Sequence, residues 1–472
     1  MKYLIRSIAL IFALILGLIA PAFAQWSSNP AVNLALADDA NGSDQVQPKL
    51  VPIQNQGWYI SWFDNNPSAP PPLGYSVFYQ QLNPGGYEQY LQGGIEVAAL
   101  SNSSTEDYGL SLDTSNNALL AFLDTRENVN QQVTAAKMSV SGTASWGPLG
   151  VQLTNNYASN AVPKIVGTSD GNVVVAWTSN SDVVVQKLNS AGEPLWGNGI
   201  VFSANGLDYI LADLHAADNG SVIVSWVSNS GFGSNSQLRT NKISAAGKLL
   251  WGAEPVHIFD TGSLQFGNFP YFVYDGNGGA VFAWYTNSPT LQCFAQHILS
   301  TGQAAFPAGG VAVSADSSQV RVDPAAVYRQ STEEVFVFWT EEDALQVYNG
   351  VYGQKFNSTG SAQWGADGLT IVPLGTDQQI FVTPVQEGTG ALTFWVDQAA
   401  YGSATIQAIK LDGNGNTVCP QFAVSSTPSN KSRLAAAVNP AGIAALVFED
   451  DRIGNNGIYI QNVSSTCTLG EP

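Results

Sequence analysis

Five carboxylates recur at one fixed offset in this chain. Asp64, Asp124, Glu341, Asp397 and Asp450 each stand two residues after an aromatic, namely Trp62, Phe122, Trp339, Trp395 and Phe448. Ser179, Ser228 and Thr286 hold the same place after Trp177, Trp226 and Trp284. All of these side chains accept hydrogen bonds. One reading makes them caps on the following turn, with Arg126 and Arg452 pairing locally. The other gathers them with Glu127, Asp182, Glu342, Asp343, Glu449 and Asp451 on one rim, able to attract Ca2+ or a basic partner.

A second set is aromatic. Tyr108, Tyr157, Tyr209, Phe266, Phe269 and Phe381 lie in connecting segments among Asn, Ser and Gln. Rings that stack beside amides that hydrogen-bond suit a glycan or a peptide. The alternative use is packing between loops or plugging a central channel. A proline-rich loop, Asp64–Tyr75, with Pro67, Pro70, Pro71 and Pro72, could edge such a surface.

Catalytic signatures are sparse. His215, His257 and His297 show no metal-ligand spacing, and the one G-x-S-x-G match, Gly167–Gly171, falls on the Asp170-Gly171 turn between two strands, with no helix following to make a nucleophile elbow. Six arginines, Arg126, Arg239, Arg321, Arg329, Arg433 and Arg452, lack the boxes that accompany a sialidase-like site. A glycosidase or lyase would need carboxylates converging from several strands, where Asp213 and Asp323 are the main candidates and His215 the one histidine. The sequence therefore favours a non-catalytic binding or scaffold module. A glycoside hydrolase or lyase acting at a channel mouth is the rival, and a structural surface protein without a specific ligand is the third possibility.

These residues are positioned by a repeat. Val162–Ser203 reads as four short strands joined by turns such as Asp170-Gly171, with β-branched strand residues and no helical periodicity. Aligning on Trp62, Phe122, Trp177, Trp226, Trp284, Trp339, Trp395 and Phe448 gives spacings of 49 to 60 residues. Proline recurs upstream (Pro48, Pro163, Pro270, Pro324, Pro384), a Gln-Lys type ending follows, and then a Gly-containing turn before Trp146, Trp196, Trp251, Phe306 or Trp364. A residue demanded once per repeat serves packing between units.

The last copy ends without a fourth strand, and Trp26–Leu34 resembles the missing piece. A chain that starts with the last strand of its final unit is built to close a ring, which also hides sheet edges. The expectation is an all-β fold, a β-propeller of four-stranded blades formed by residues 25–472, with 25–40 completing the last blade. Eight blades are counted; seven would require the copy at Phe122 to be spurious. A linear solenoid or tandem sandwiches would not need the split copy.

Residues 1–24 read as a signal peptide: Lys2 and Arg6, an apolar run, then Ala22-Phe23-Ala24 before Gln25. The expected destination is periplasmic, secreted or cell-surface, with no membrane insertion after cleavage. Without the leader, 15 Lys and Arg face 36 Asp and Glu, a balance of −21 that argues against nucleic acid. Cys419 and Cys467 fall in neighbouring repeats, where an oxidising compartment permits a disulfide, while Cys293 reads as a buried thiol.

The repeat resembles that of secreted bacterial propellers, P-x-x-x-x-D-G-x-G-x-x-x-V-x-W-x-D-x-R, then I-Y-x-Q and W-G-x-x-G-V. Matching segments are Phe122-Leu123-Asp124-Thr125-Arg126, Phe448–Arg452 with Ile458-Tyr459-Ile460-Gln461, and Trp196-Gly197-Asn198-Gly199-Ile200. The resemblance implies a fold and an exported or surface location, and it implies no chemistry.

Overall fold

Apolar-rich strands of two to thirteen residues, which cannot form a core alone, are arranged as eight four-stranded antiparallel sheets around a central channel. The computed structural model describes residues 25–471 except 39–41, 55–56, 66–73, 101–106, 127–129, 232 and 288–289. The leader, Glu127 and the four prolines of the long loop lie outside the described residues.

The protein is a β-propeller with eight blades, and the copy at Phe122 is one of them. In chain order the first, innermost strands are Asp44–Ile53, Gly109–Leu112, Asn160–Gly167, Asp208–Ala216, Phe272–Tyr274, Val320–Arg329, Gln378–Glu387 and Lys431–Val438. Blade 8 takes its outer strand from the start of the chain, with Leu34 opposite Ile460 and Ala35 opposite Tyr459. The paired segment is Leu34–Ala37, slightly later than Trp26–Leu34. Trp26 instead occupies the place of the turn aromatics.

The landmark aromatics fill the spaces between blades. Trp62, Trp226, Trp284, Trp339, Trp395, Phe122 and Phe448 are fully buried, and Trp177 nearly so. Burying each such side chain contributes about 2–3 kcal/mol, which explains why every unit carries one.

A second device joins neighbouring blades. The aromatic after each third-strand turn lies against a glycine in the next blade's equivalent turn: Trp26 on Gly86, Trp146 on Gly192, Trp196 on Gly247 and Trp251 on Gly302. Gly302 has φ +84°, and a Cβ there would come within 2.7 Å of the Trp251 ring, so only glycine fits. The indole N–H donors complete the contact, from Trp26 to Pro84 O at 2.8 Å and from Trp251 to Ser300 O at 2.9 Å.

Between blades 7 and 8 the pair is replaced covalently. Cys419 holds the aromatic position and Cys467, at φ +63°, the glycine position, and the two form a disulfide with Cα atoms 6.4 Å apart.

The Gln-Lys endings have a separate task. Gln186 donates to Gly197 O and accepts from the N–H groups of Lys187 and Trp196, fixing the turn. Lys187 bridges Asp170 at 2.6 Å and donates to Ala245 O of the next blade. Lys137–Asp113, Lys355–Glu334 and Lys410–Glu387 repeat the pairing, and His297–Asp275 substitutes for it in blade 5.

Candidate functional site: the mouth of the central channel

The inner strands carry an irregularity that builds the site. In blades 1, 3, 6, 7 and 8 the pairing with the second strand slips at a bulge, and its first residue has a left-handed backbone. These residues are Gln47 (φ 56°), Val162 (φ 44°), Asp323 (φ 50°), Phe381 (φ 55°) and Arg433 (φ 53°). None is glycine, and β-branched Val162 is especially unfavourable there. Such bulges re-aim side chains beside functional sites, and the strain persists only where surrounding structure holds it.

Two residues further on, each blade presents the residue opposite the one before its landmark aromatic. The set is Lys49, Gly109, Lys164, Asp213, Ala325, Thr383 and Ala435. Extending the register of blade 5 puts Tyr271 in the same place, opposite Ala283. The layer is lopsided. Blades 1, 3, 4 and 5 offer long or charged side chains, blade 2 offers Gly109 with Asp107 beside it, and blades 6 to 8 offer only Ala, Thr and Ala.

On the crowded side, Asp107 of blade 2 receives Lys49 and Lys164, and the Tyr271 hydroxyl donates to it at 3.0 Å. Asp213 holds His215 at 3.0 Å and accepts the Phe272 N–H at 3.1 Å. Burial works against the charge on Asp107, but Lys49 and Lys164 override it and keep the carboxyl far below its ordinary range. Burial lowers Lys49, with Lys164 adding to the effect, so Asp107 compensates the two ammonium groups unequally. Burial, helped by Asp107 and Asp213, pushes the Tyr271 phenol up to about 12.

On the open side the small residues leave a cavity of about 910 Å3. That volume lies within the range of small-molecule sites. Its rim carries Phe269, Asp323, Phe381, Arg433 and Gln47, with Tyr271 and Lys49 on the far wall. Gly267 and Asn268 also line it, so the cavity opens on the face of the blade-to-blade connections.

Asp323 is more than a third open to the channel, yet the channel walls crowd it. Burial therefore raises its carboxyl above the ordinary value, partly offset by Tyr285. The Arg433 side chain is 57% exposed, and its ion-pair contact is Nε to Glu449 at 3.9 Å. Glu449 is already engaged by Gln47 N–H at 2.6 Å and Ser432 Oγ at 2.7 Å.

The repeated carboxylates do not form a free rim. Asp124 is clasped by the Arg126 guanidinium, Nη2 at 2.6 Å, and Asp397 accepts Gln379 Nε2 at 2.9 Å. Glu341 is buried between Arg321 at 2.8 Å and the Trp339 indole N–H at 2.7 Å. Asp450 is fully buried against Lys431, Arg452 and Ser429. Asp64 accepts from Gln45 Nε2 at 3.4 Å. Apart from the bond from Ser429 of blade 7 to Asp450, these ties are local to their blades, which makes the residues internal braces.

The aromatic candidates divide. Tyr108 is buried, bonded to Ser61 Oγ at 2.8 Å, and Tyr209 is buried against Trp226. Tyr157 and Phe266 are largely exposed, at 94% and 77%. Phe269 and Phe381 reach the cavity. Tyr271, Lys49, Lys164 and Asp107 complete the site and had no signal of their own in the sequence. They come from different blades, and only the prolines at Pro48, Pro163, Pro270 and Pro324 mark where the inner strands bend.

Among the described residues, no group of three or more His, Cys, Asp and Glu side chains is arranged to hold a metal ion. No helix there is long and apolar enough to cross a membrane.

The sequence matches no protein-family model and no curated protein. Among solved structures it is similar to the Dos1 propeller, at 12% identity and TM-score 0.49, covering 91% of this chain and 95% of that one. It is also similar to a eukaryotic initiation factor, at 11% identity and TM-score 0.45, covering 91% and 88%. A polysaccharide lyase, the PL25 ulvan lyase, aligns over 64% of this chain and 79% of its own, at 12% identity and TM-score 0.39. At these identities the likenesses concern the fold.

Proposed function

We propose that this propeller is an exported, non-catalytic binding module that holds a glycan in the mouth of its channel. The observation that carries this reading is the lopsided inner layer, which leaves a cavity of about 910 Å3 with exposed rings at Phe269, Phe381 and Tyr271. Aromatic faces beside a few polar groups suit a sugar, whose C–H faces stack while its hydroxyls hydrogen-bond. The leader-like segment and the Cys419–Cys467 disulfide support an oxidising destination.

Binding is favoured over hydrolysis by the state of the carboxyls. A glycosidase needs two carboxyl groups that exchange protons or attack. At this mouth Asp107 is tied by two lysines and a tyrosine, which leaves Asp323, among the described residues lining it, as the other carboxyl facing the cavity.

The test is a glycan array probed with protein recovered after export, wild type beside Phe381→Ala and Phe269→Ala. Binding to a defined glycan set that weakens at least tenfold in both variants is expected. Failure to bind any glycan, or binding indifferent to both substitutions, would overturn the reading.

A further inference from the structure

The cations of this chain are few, and most are already spent. Lys137, Lys187, Lys242, Lys355 and Lys410 bridge acids at the third-strand turns. Arg126, Arg321, Lys431 and Arg452 brace the repeated carboxylates. Yet Lys49, Lys164 and Arg433 all belong to the channel, in a chain with 17 Lys and Arg against 36 Asp and Glu. Of these three, Arg433 is the one left with capacity. Its charge sits more than half exposed on the cavity rim, and Glu449, its distant partner, is satisfied by other donors. Its backbone is held in the left-handed region, as is that of Phe381 at the same place in the adjacent blade. Gln47 follows in the next blade. Ring and guanidinium thus stand on adjacent blades around one cavity.

We infer that the cavity selects a carboxylate-bearing saccharide, a uronic-acid glycan, with the sugar face against Phe381 and the carboxylate on the Arg433 guanidinium. A planar guanidinium matches a carboxylate by two parallel hydrogen bonds, which a lysine cannot reproduce. Asp323 lines the same cavity, with burial raising its carboxyl above the ordinary value and the Tyr285 hydrogen bond partly offsetting that. The inference rests on the glycan reading above and adds the charge of the ligand to it.

The experiment uses calorimetric titration of the exported protein with oligogalacturonate and with the same oligosaccharide after reduction of its carboxyls to alcohols. A glutamate-rich peptide of similar charge is the third probe. The acidic sugar is expected to bind at least about tenfold more tightly than its reduced form. Arg433→Gln should abolish that preference, and Arg433→Lys should restore only part of it. Lys248→Gln, at an exposed turn lysine, should leave it intact. Both variants of Arg433 should keep the wild-type melting temperature.

Equal binding of the acidic and reduced sugars would overturn the inference and leave the glycan reading standing. Preference for the acidic sugar that survives in Arg433→Gln would remove Arg433 from the site. Tighter binding of the peptide than of either sugar would transfer the site to acidic proteins. Binding of none of the three probes would remove the glycan reading together with the inference.

Discussion

Tyr271 donates its phenolic hydrogen to Asp107 at 3.0 Å, joining blade 5 to blade 2 across the channel. The bond closes one side of the channel and thereby defines the cavity on the other. Tyr271→Phe should cost about 1 kcal/mol of stability, the net value of one hydrogen bond to a charged group with partial solvent access. Tyr271→Ala should also enlarge the cavity and weaken glycan binding. Chemical denaturation and titration of the two variants separate these effects, and a Phe variant as damaged as the Ala variant would refute the bridging role.

Asp450 should behave as a brace. Its carboxylate faces Lys431 and Arg452 in the fully buried interior of blade 8, so Asp450→Ala strands two cations. A loss of about 3–5 kcal/mol is expected. Asp397→Asn, which replaces an acceptor bonded to Gln379, should cost far less. Denaturation midpoints check the contrast, and ligand binding by folded Asp397→Asn should match wild type.

The Cys419–Cys467 seam offers a replacement experiment. Substituting both by Ser should lower stability by about 2–4 kcal/mol in oxidising buffer. Because these residues occupy the aromatic and glycine places of the other seams, Cys419→Trp with Cys467→Gly should recover much of that loss. Denaturation midpoints of the two double variants, with and without reductant, decide the matter.

Two carboxyls should move the pH profile in opposite directions. Burial pushes Glu88 up to about 7, above its unfolded value. Its contribution is therefore fully present below about pH 4.5 and lost as pH rises through about 7. Glu88→Gln should raise the melting temperature at pH 8 more than at pH 5. Asp107 is held low by Lys49 and Lys164 against the effect of burial, so its contribution is present above the ordinary carboxylate value and lost in acid. Asp107→Asn should flatten the acid limb of the same melting curve.

The ring was legible in the sequence because its parts are periodic. One large aromatic per unit, a turn glycine four residues before the seam aromatic, and a first strand matching a missing last one all repeat at nearly constant spacing. The mouth is not periodic. Lys49, Asp107, Lys164, Asp213 and Tyr271 come from five blades and meet only because the ring closes, so no local spacing announces them. The bulges were hidden for a different reason. A left-handed residue is ordinarily sought as glycine, and here Val162, Asp323, Phe381 and Arg433 take that conformation under tertiary constraint. The repeated carboxylates misled in the reverse sense. Their regular spacing resembled a rim, while Arg126, Arg321, Lys431 and Arg452 pair with three of the five, Asp124, Glu341 and Asp450, and Gln45 and Gln379 bond the other two.

The pairing of Leu34 with Ile460 also sets an order of events. Leu34 is made long before Ile460, so blade 8 cannot complete its sheet until the later segment has been made. Until then blade 8 has a bare edge, and Trp26, bound at the end to Pro84, has half of its surroundings missing. An incomplete blade 8 presents an unpaired sheet edge, so the protein is exposed to self-association for as long as its closing strand is late.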